Sequence, residues 1–308
     1  MLKKVILLGR LKLPIIASWV FVFGALLAVV SGATFVPNRF LLGSAIMLAA
    51  LLSVNYGNDY FDVDADRCNK PTPISGGSGI LLENPELRRF ARWFAIFLMG
   101  LSVAFAAVFT VLFSFPLFFI LFVVFGNLAS WFYAAPPLKL SYRGFSEIVV
   151  VIAVGLMTPG MGYFILKAGF DTVFGVFTLP CMLYALAFII NVEIPDMEGD
   201  RAGKKRTLIV LKGRRFGFTV AAFSLSAATL YFLIISLTNL LTPLVDFRLI
   251  ALFSSVPLFA GFVGLMRRPE DRDSATRLAI RNVAAISLFM LLVDLYFVVL
   301  LNWHVHAH

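Results

Sequence analysis

The sequence predicts an all-α membrane protein, a bundle of nine transmembrane helices built as two four-helix pseudo-repeats plus a ninth helix. Three observations carry this expectation. The 308 residues are 60% hydrophobic and only 14% charged, with a mean hydropathy of +0.93; a soluble domain carries roughly 25% charged residues. Nine apolar stretches are long enough to span a bilayer as helices, which takes about 17–25 residues. The basic residues are partitioned between alternate loops.

The stretches run over 13–33, 40–58, 91–113, 116–133, 146–166, 172–192, 216–238, 247–266 and 280–301. Gly and Pro within them do not veto a membrane helix. Leu13–Val30 follows the basic residues Lys3, Lys4, Arg10 and Lys12 and has no small-residue cleavage site after it, so it reads as a retained first helix. Of the 26 basic residues, 23 precede the first stretch or follow an even-numbered one, and only Arg39, Lys167 and Arg248 fall on the other side. The rich side is expected to be cytoplasmic, with the N-terminus there and the C-terminus opposite. The net charge of +9 therefore reads as topology signals and not as a nucleic-acid surface. Cys68 and Cys181 imply no disulfide framework.

Two acidic clusters stand out, each directly after an even-numbered stretch, in the loops about 58–90 and 193–215. The first is "NDYFDVDADRCNKP", from Asn58; the second is "NVEIPDMEGDRAGKKRTL", from Asn191. Asn58, Asp62 and Asp66 recur every four residues, as do Asp196 and Asp200, and Asp59 joins the first row. On a helix such spacing puts the oxygens on one face. Crowded carboxylates repel and are costly to desolvate, so they call for a cation. Mg²⁺ takes oxygen ligands, with one or two carboxylates plus phosphates and water. Two rows brought face to face by the repeat could hold two Mg²⁺ ions with a diphosphate between them. Arg67, Lys70, Lys139, Arg143, Arg201 and Lys204 lie near enough in sequence to supply positive charge. For any one acidic residue at a helix end, a solvated loop position is the ordinary explanation; two such rows followed by basic residues are much harder to explain that way.

At these residues the chain resembles the UbiA superfamily of intramembrane prenyltransferases. "NDYFDVDAD" is similar to the first Asp-rich motif of that family, N-D-x-x-D-x-x-x-D, and "DMEGDRAGKKRTL" to the second, D-x-x-x-D with its downstream basic run. "YAAPPLKLSYRGFSE", from Tyr133, resembles the segment after the fourth helix. The resemblance implies a nine-helix fold in which Asp59, Asp62, Asp66, Asp196 and Asp200 bind Mg²⁺. It also implies that Asn58, Arg67, Lys70, Arg143, Arg201 and Lys204 contact a prenyl diphosphate, and that Lys139 acts with Asp62 and Asp196 in catalysis. Thr72 stands where several relatives carry a basic residue.

The expected reaction is Mg²⁺-assisted departure of diphosphate from a prenyl donor, then attack of a lipophilic acceptor on C1, in a site dry enough to spare the allylic cation. The segment "TPISGGSGILLENPEL" resembles the menaquinone-type branch, and "NDYFDVDADRCNKP" equally resembles the archaeal-lipid branch, which prenylates geranylgeranylglyceryl phosphate. A phosphate-bearing acceptor needs extra basic partners, and the loop from Asp66 to Gly79 offers only Arg67 and Lys70. An aromatic, dihydroxynaphthoate-like acceptor is therefore favoured. A cation transporter is the rival from another class, but its carboxylates belong near the bilayer midplane. Membrane alcohol phosphotransferases carry a D-G-x-x-A-R-type signature that is absent here. Asn127 reads as a contact between helices or with substrate, Glu193 as a support for the second row, and Asp294 as an intramembrane carboxylate of open role.

Overall fold

The computed structural model of the chain describes residues 2–69, 71–238, 240–241 and 244–306. The regular elements among them are helices. The long ones are α1 (Lys12–Val30), α2 (Pro37–Phe61), α3 (Arg88–Phe113), α4 (Phe118–Ala134), α5 (Ser146–Lys167), α6 (Thr172–Glu193), α7 (Arg214–Leu237), α8 (Phe247–Arg267) and α9 (Arg272–His306). Shorter helices, among them Leu2–Leu8, Val63–Asp66, Ile80–Glu83, Met197–Ala202 and Leu208–Lys212, cluster at one end of the bundle.

Seven of these helices, α2, α3 and α5 to α9, are long and apolar enough to cross a membrane. The expectation of nine differs at α1 and α4. The 17 residues of α4 reach about 26 Å at 1.5 Å per residue, a little under the ~30 Å hydrocarbon layer, and the 19 residues of α1 reach about 29 Å. The stretch at 13–33 overstates α1 because a turn at Ser31 and Gly32 ends the helix early. Hydropathy counts apolar residues whether the chain spends them on a helix or on the bend after it.

Local chemistry sets the helix ends. Pro37 opens α2, where its missing N–H costs nothing. Asp171 and Asp246 cap α6 and α8 by accepting from the N–H groups of Phe174 and Arg248. Pro195 helps to stop α6: the helix ends at Glu193, and a turn leads into Met197–Ala202.

The helices α1, α2, α4, α5, α6 and α9 surround a central cavity. Outside them, α3 packs on α2 and α4, while α7 packs on α6 and α8 packs on α7 and α9. The succession α2–α3–α4 thus recurs as α6–α7–α8, and α9 packs on both α8 and α1. The halves meet where α1 crosses α5. A Cβ at Gly162 would lie 2.0 Å from the Phe21 carbonyl oxygen, so only glycine lets the two backbones touch. Midway along α5 the chain widens into a π-helical turn, Ala153–Met157, and the Thr158 hydroxyl donates to the Ala153 carbonyl at 2.8 Å. Ala153, Val154 and Met157 of this turn line the cavity.

The N-terminal segment is tied to the same end of the bundle as the short helices. Asn55 Nδ2 donates to the Gly9 carbonyl at 2.9 Å and Tyr56 OH to that of Val5 at 2.8 Å. These bonds bring Arg10 to the cavity mouth.

Candidate active site

The mouth is built at the C-terminal ends of α2 and α6. Although α2 ends at Phe61 and a new short helix begins at Val63, the four-residue bonding continues across the break. The Asp62 N–H donates to the Asn58 carbonyl and the Asp66 N–H to that of Asp62, both at 2.8 Å. In the second cluster the Asp200 N–H donates to the Asp196 carbonyl at 2.8 Å. Asn58, Asp59, Asp62, Asp66, Asp196 and Asp200 all line one cavity, which brings together the two rows that the sequence separates by more than a hundred residues.

Lys205 links the rows. Its Nζ donates to Asp62 Oδ2 at 2.8 Å and lies 3.4 Å from Asp200 Oδ1. Tyr142 OH donates to Asp62 Oδ1 at 2.8 Å. The loop after the first row then reaches across the mouth. Ser75 Oγ donates to Asp196 Oδ1 at 3.0 Å, the Gly76 N–H to Asp196 Oδ2 at 3.1 Å, and the Ser78 N–H to Asp59 Oδ2 at 3.3 Å. Thr72 shapes this loop: its N–H donates to the Ser75 carbonyl at 2.9 Å, and its Oγ1 accepts from the Ser75 N–H at 3.0 Å. Gly77, at φ +62°, presses so closely on Asp66 that a Cβ there would sit 2.1 Å from Oδ2; both the conformation and the space demand glycine.

Among the described residues the mouth is short of positive charge. Arg10 approaches Asp59 Oδ1 only to 3.9 Å, and that oxygen, buried, has no hydrogen-bond partner among the described residues. Burial, and then repulsion from Asp62, push the Asp66 carboxyl up to about 7. Burial and then Asp200 push Asp196 up to about 7 as well. Burial also raises Asp200, although Lys205 opposes it. Lys205 itself is held well above its usual range: burial pulls it down, but Asp62 and Asp200 outweigh that pull. No three of the carboxylates converge as a ready-made metal cage among the described residues. A hard cation such as Mg²⁺ does not require one, since one or two carboxylates suffice when phosphate oxygens and water complete the shell. The orphaned Asp59 oxygen and the acceptor-only donor set fit that arrangement.

The other basic candidates lie elsewhere. Arg67 is exposed, 3.9 Å from Asp64. Lys139 is exposed, with its Nζ 5.0 Å from the centroid of the Tyr142 ring. Arg143 is exposed and donates to the Pro137 carbonyl at 2.9 Å, and Arg201 is exposed and donates to that of Val210 at 3.3 Å. Lys204 points to solvent. None of the five lines the cavity, and Lys70 lies outside the described residues. Lys205, Tyr142, Arg10 and the residues of the Ser75–Ser78 loop were not named as site residues from sequence, although the stretches "TPISGGSGILLENPEL" and "YAAPPLKLSYRGFSE" contain the loop and Tyr142. Lys205 had a signal in "GKKRT", but not one that distinguishes it from its neighbour. Lys204 takes a left-handed φ of 64°, which turns the chain so that the Lys205 N–H returns to the Asp200 carbonyl at 2.8 Å.

Asn127 is a contact between helices as well as a cavity residue, donating to Ser102 Oγ of α3 at 3.2 Å. Glu193 is buried and accepts from Ser146 Oγ at 2.6 Å. Below the mouth the cavity becomes apolar, running between Ile46, Val123, Val154, Met157 and Ile189.

A polytopic helical bundle with a carboxylate-rimmed mouth over an apolar pocket suits an amphiphile whose head is handled by oxygens and whose tail is buried. The chain belongs to the UbiA prenyltransferase family, whose model matches residues 17–293, and it is an integral, multi-pass membrane protein. It is 30% identical over 192 residues to the digeranylgeranylglyceryl phosphate synthase of Thermococcus gammatolerans, covering 58% of this chain and 61% of the relative. It is 33% identical over 161 residues to the chloroplastic chlorophyll synthase of Oryza sativa subsp. japonica, covering 51% and 40%. It is 25% identical over 132 residues to the 1,4-dihydroxy-2-naphthoate octaprenyltransferase of Bacillus subtilis, covering 43% and 41%. The matches thus span less than two thirds of the length of these relatives. The fold is also that of a UbiA homologue from Archaeoglobus fulgidus bound to DMAPP and Mg²⁺, with a TM-score of 0.66 at 17% identity, covering 92% of this chain and 99% of the other.

Proposed function

We propose that the protein is an intramembrane prenyltransferase that moves a prenyl group from a prenyl diphosphate to a lipophilic acceptor. The observation that carries this reading is the meeting of two carboxylate rows, at and just beyond the C-terminal ends of α2 and α6, at the mouth of an apolar cavity of about 400 Å³. Asp59, Asp62, Asp66, Asp196 and Asp200 would hold Mg²⁺, which when bound neutralises charge on the diphosphate oxygens. Lys205 is the mouth cation best placed to donate to a diphosphate once it turns from Asp62. The Ser75 hydroxyl and the N–H groups of Gly76 and Ser78, now on carboxylates, are donors of the kind that stabilise a departing anion. The C1–O bond breaks with its electron pair leaving on diphosphate. The acceptor then bonds to C1 and loses its proton. The apolar walls below the mouth exclude water while this happens.

The acceptor is read as aromatic, because Arg10 and Lys205 are the basic residues on the cavity wall among the described ones and both already face carboxylates. A phosphate-bearing acceptor would add a dianion to a mouth already short of positive charge. The second reading, geranylgeranyl transfer to geranylgeranylglyceryl phosphate, is favoured by the Thermococcus relative. The orientation proposed has the N-terminus and the mouth on the cytoplasmic side, nine crossings including the shorter α1 and α4, and the C-terminus opposite. Exposed Cys68 should then react with an impermeant thiol reagent from the cytoplasmic face alone.

The test is mass spectrometry of products from the purified protein with prenyl diphosphates, Mg²⁺ and both acceptor types. A prenylated dihydroxynaphthoate supports the aromatic reading. Prenylated geranylgeranylglyceryl phosphate with every aromatic acceptor untouched moves the assignment to the second. Rates in EDTA equal to those in Mg²⁺ would sink the mechanism.

A further inference from the structure

The cavity has a floor, and its depth is the same along four helices. From mouth to floor the lining runs from Asn58 to Ile46 in α2, Tyr133 to Phe122 in α4, Val149 to Met161 in α5, and Val192 to Cys181 in α6. Each interval is eleven or twelve residues, or about 17–18 Å at 1.5 Å per residue.

Below that level the space is filled with rings. One turn beyond Cys181 stands Phe177, which meets Phe23 at 5.7 Å and Phe297 at 6.1 Å between centroids, while Phe23 and Phe297 stack at 5.8 Å. All three are at most 3% exposed. Under Phe122 and Met161 a second group closes the other side, with Phe119 and Phe164 stacked at 5.5 Å. Close-packed aromatic clusters of this kind give way only at the cost of several side chains moving together. Asp294 lies one turn past Met290, the last α9 residue on the cavity wall. It is 7% exposed, with Oδ1 lacking a hydrogen-bond partner among the described residues. A hydrocarbon end driven down to it would seal an unpaired polar group further from any partner, which is unfavourable.

We propose that this floor measures the donor: the cavity takes a prenyl tail of about four isoprene units, and the Phe23–Phe177–Phe297 plug excludes longer ones. The inference rests on the prenyltransferase reading above. An isoprene unit adds four carbon–carbon bonds of about 1.5 Å along a zigzag, or about 5 Å of length, so the fourth unit reaches the floor and a fifth has no room. The selectivity is steric and depends on the floor residues, independently of which acceptor is used.

The experiment measures initial rates for geranyl, farnesyl, geranylgeranyl, hexaprenyl and octaprenyl diphosphate with Mg²⁺ and the acceptor panel, for the wild type, Phe177→Ala, Phe297→Ala and Cys181→Phe. The wild type should use donors up to geranylgeranyl and fall by about tenfold or more at hexaprenyl, each tenfold being about 1.4 kcal/mol of barrier. The alanine variants should raise the hexaprenyl-to-geranylgeranyl rate ratio. Cys181→Phe, which lifts the floor by a turn, should lower the geranylgeranyl-to-geranyl ratio. Octaprenyl diphosphate used as well as geranylgeranyl by the wild type overturns the ruler. So does a Cys181→Phe variant that slows every donor alike. No transfer from any donor would instead overturn the prenyltransferase reading itself.

Discussion

The two ends of the bundle carry charge in opposite ways. At the end away from the mouth, Lys167 Nζ donates to the Ser31 carbonyl at 2.7 Å and to Ser31 Oγ and Asp171 Oδ2 at 2.8 Å each, which uses all three of its hydrogens. Tyr163 OH donates to Asp171 Oδ1 at 2.6 Å. Burial alone would raise the Asp171 carboxyl, but Lys167 and Tyr163 hold it below the usual range. At the mouth, five carboxylates face Lys205 and a distant Arg10, and Asp66 and Asp196 are pushed the other way. A balanced cluster pins α1, α5 and α6 together and asks for nothing further. An under-neutralised cluster keeps its atoms available to a ligand, at a cost in stability.

This contrast breaks most sharply at the carboxylates. Asp62→Asn or Asp196→Asn should lower turnover by about 10²-fold or more, the scale for removing a group that stabilises transition-state charge, while the protein stays folded in detergent. Retained activity with full Mg²⁺ dependence in either variant would show that the rows are not the working groups. Next, Lys205→Ala should cost about 10–100-fold in kcat/KM, whereas Lys204→Ala should stay within about twofold; equal losses would remove the distinction drawn between the two neighbours. At the far end the effect should fall on stability instead. Lys167→Ala removes one of the three donors to Asp171, leaving Tyr163 and the Phe174 N–H, and should lower stability by about 0.5–1.5 kcal/mol, read as a thermal midpoint in detergent, with kcat of the folded fraction unchanged.

The smallest effect is in pH dependence. Asp66 and Asp196 sit at about 7 in the folded chain against about 3.9 in an unfolded one. The folded state therefore binds more protons between those values, and the stability that these groups contribute falls as pH rises from about 4 to about 7. The metal-free protein should melt lower at pH 8 than at pH 5, and Mg²⁺ should narrow the gap. Asp171, with a lowered carboxyl, contributes in the opposite sense: its share is present at neutral pH and lost only below about 4. A melting temperature in EDTA that climbs between pH 5 and pH 8 would contradict the assignment of the raised groups.

The class of fold was legible because membrane helices advertise themselves by composition, and the Asp rows because four-residue spacing survives even a break at Asp62. The ends of the helices were less legible: the apolar stretch 13–33 runs on past the turn at Ser31 and Gly32 that ends α1. The cations were the least legible part. Which of two adjacent lysines turns inward depends on one left-handed residue, Lys204, and a basic side chain near an acidic motif in sequence, such as Arg143 or Arg201, can find a backbone carbonyl of its own. The contribution of Ser75, Gly76 and Ser78 depends on a loop folding back over helices it does not adjoin in sequence, which local pattern does not encode.

The cross-mouth bonds also bear on how the chain is assembled. Asp62, made early, is held by Lys205, made late; Asp196, made late, is held by Ser75 and Gly76, made early. During synthesis the first acidic row must wait, hydrated and mutually repelling, until some 140 further residues have emerged and been inserted. The site therefore closes as the two halves of the bundle dock, and the same contacts that gather the carboxylates act as the latch that records the arrival of the second half.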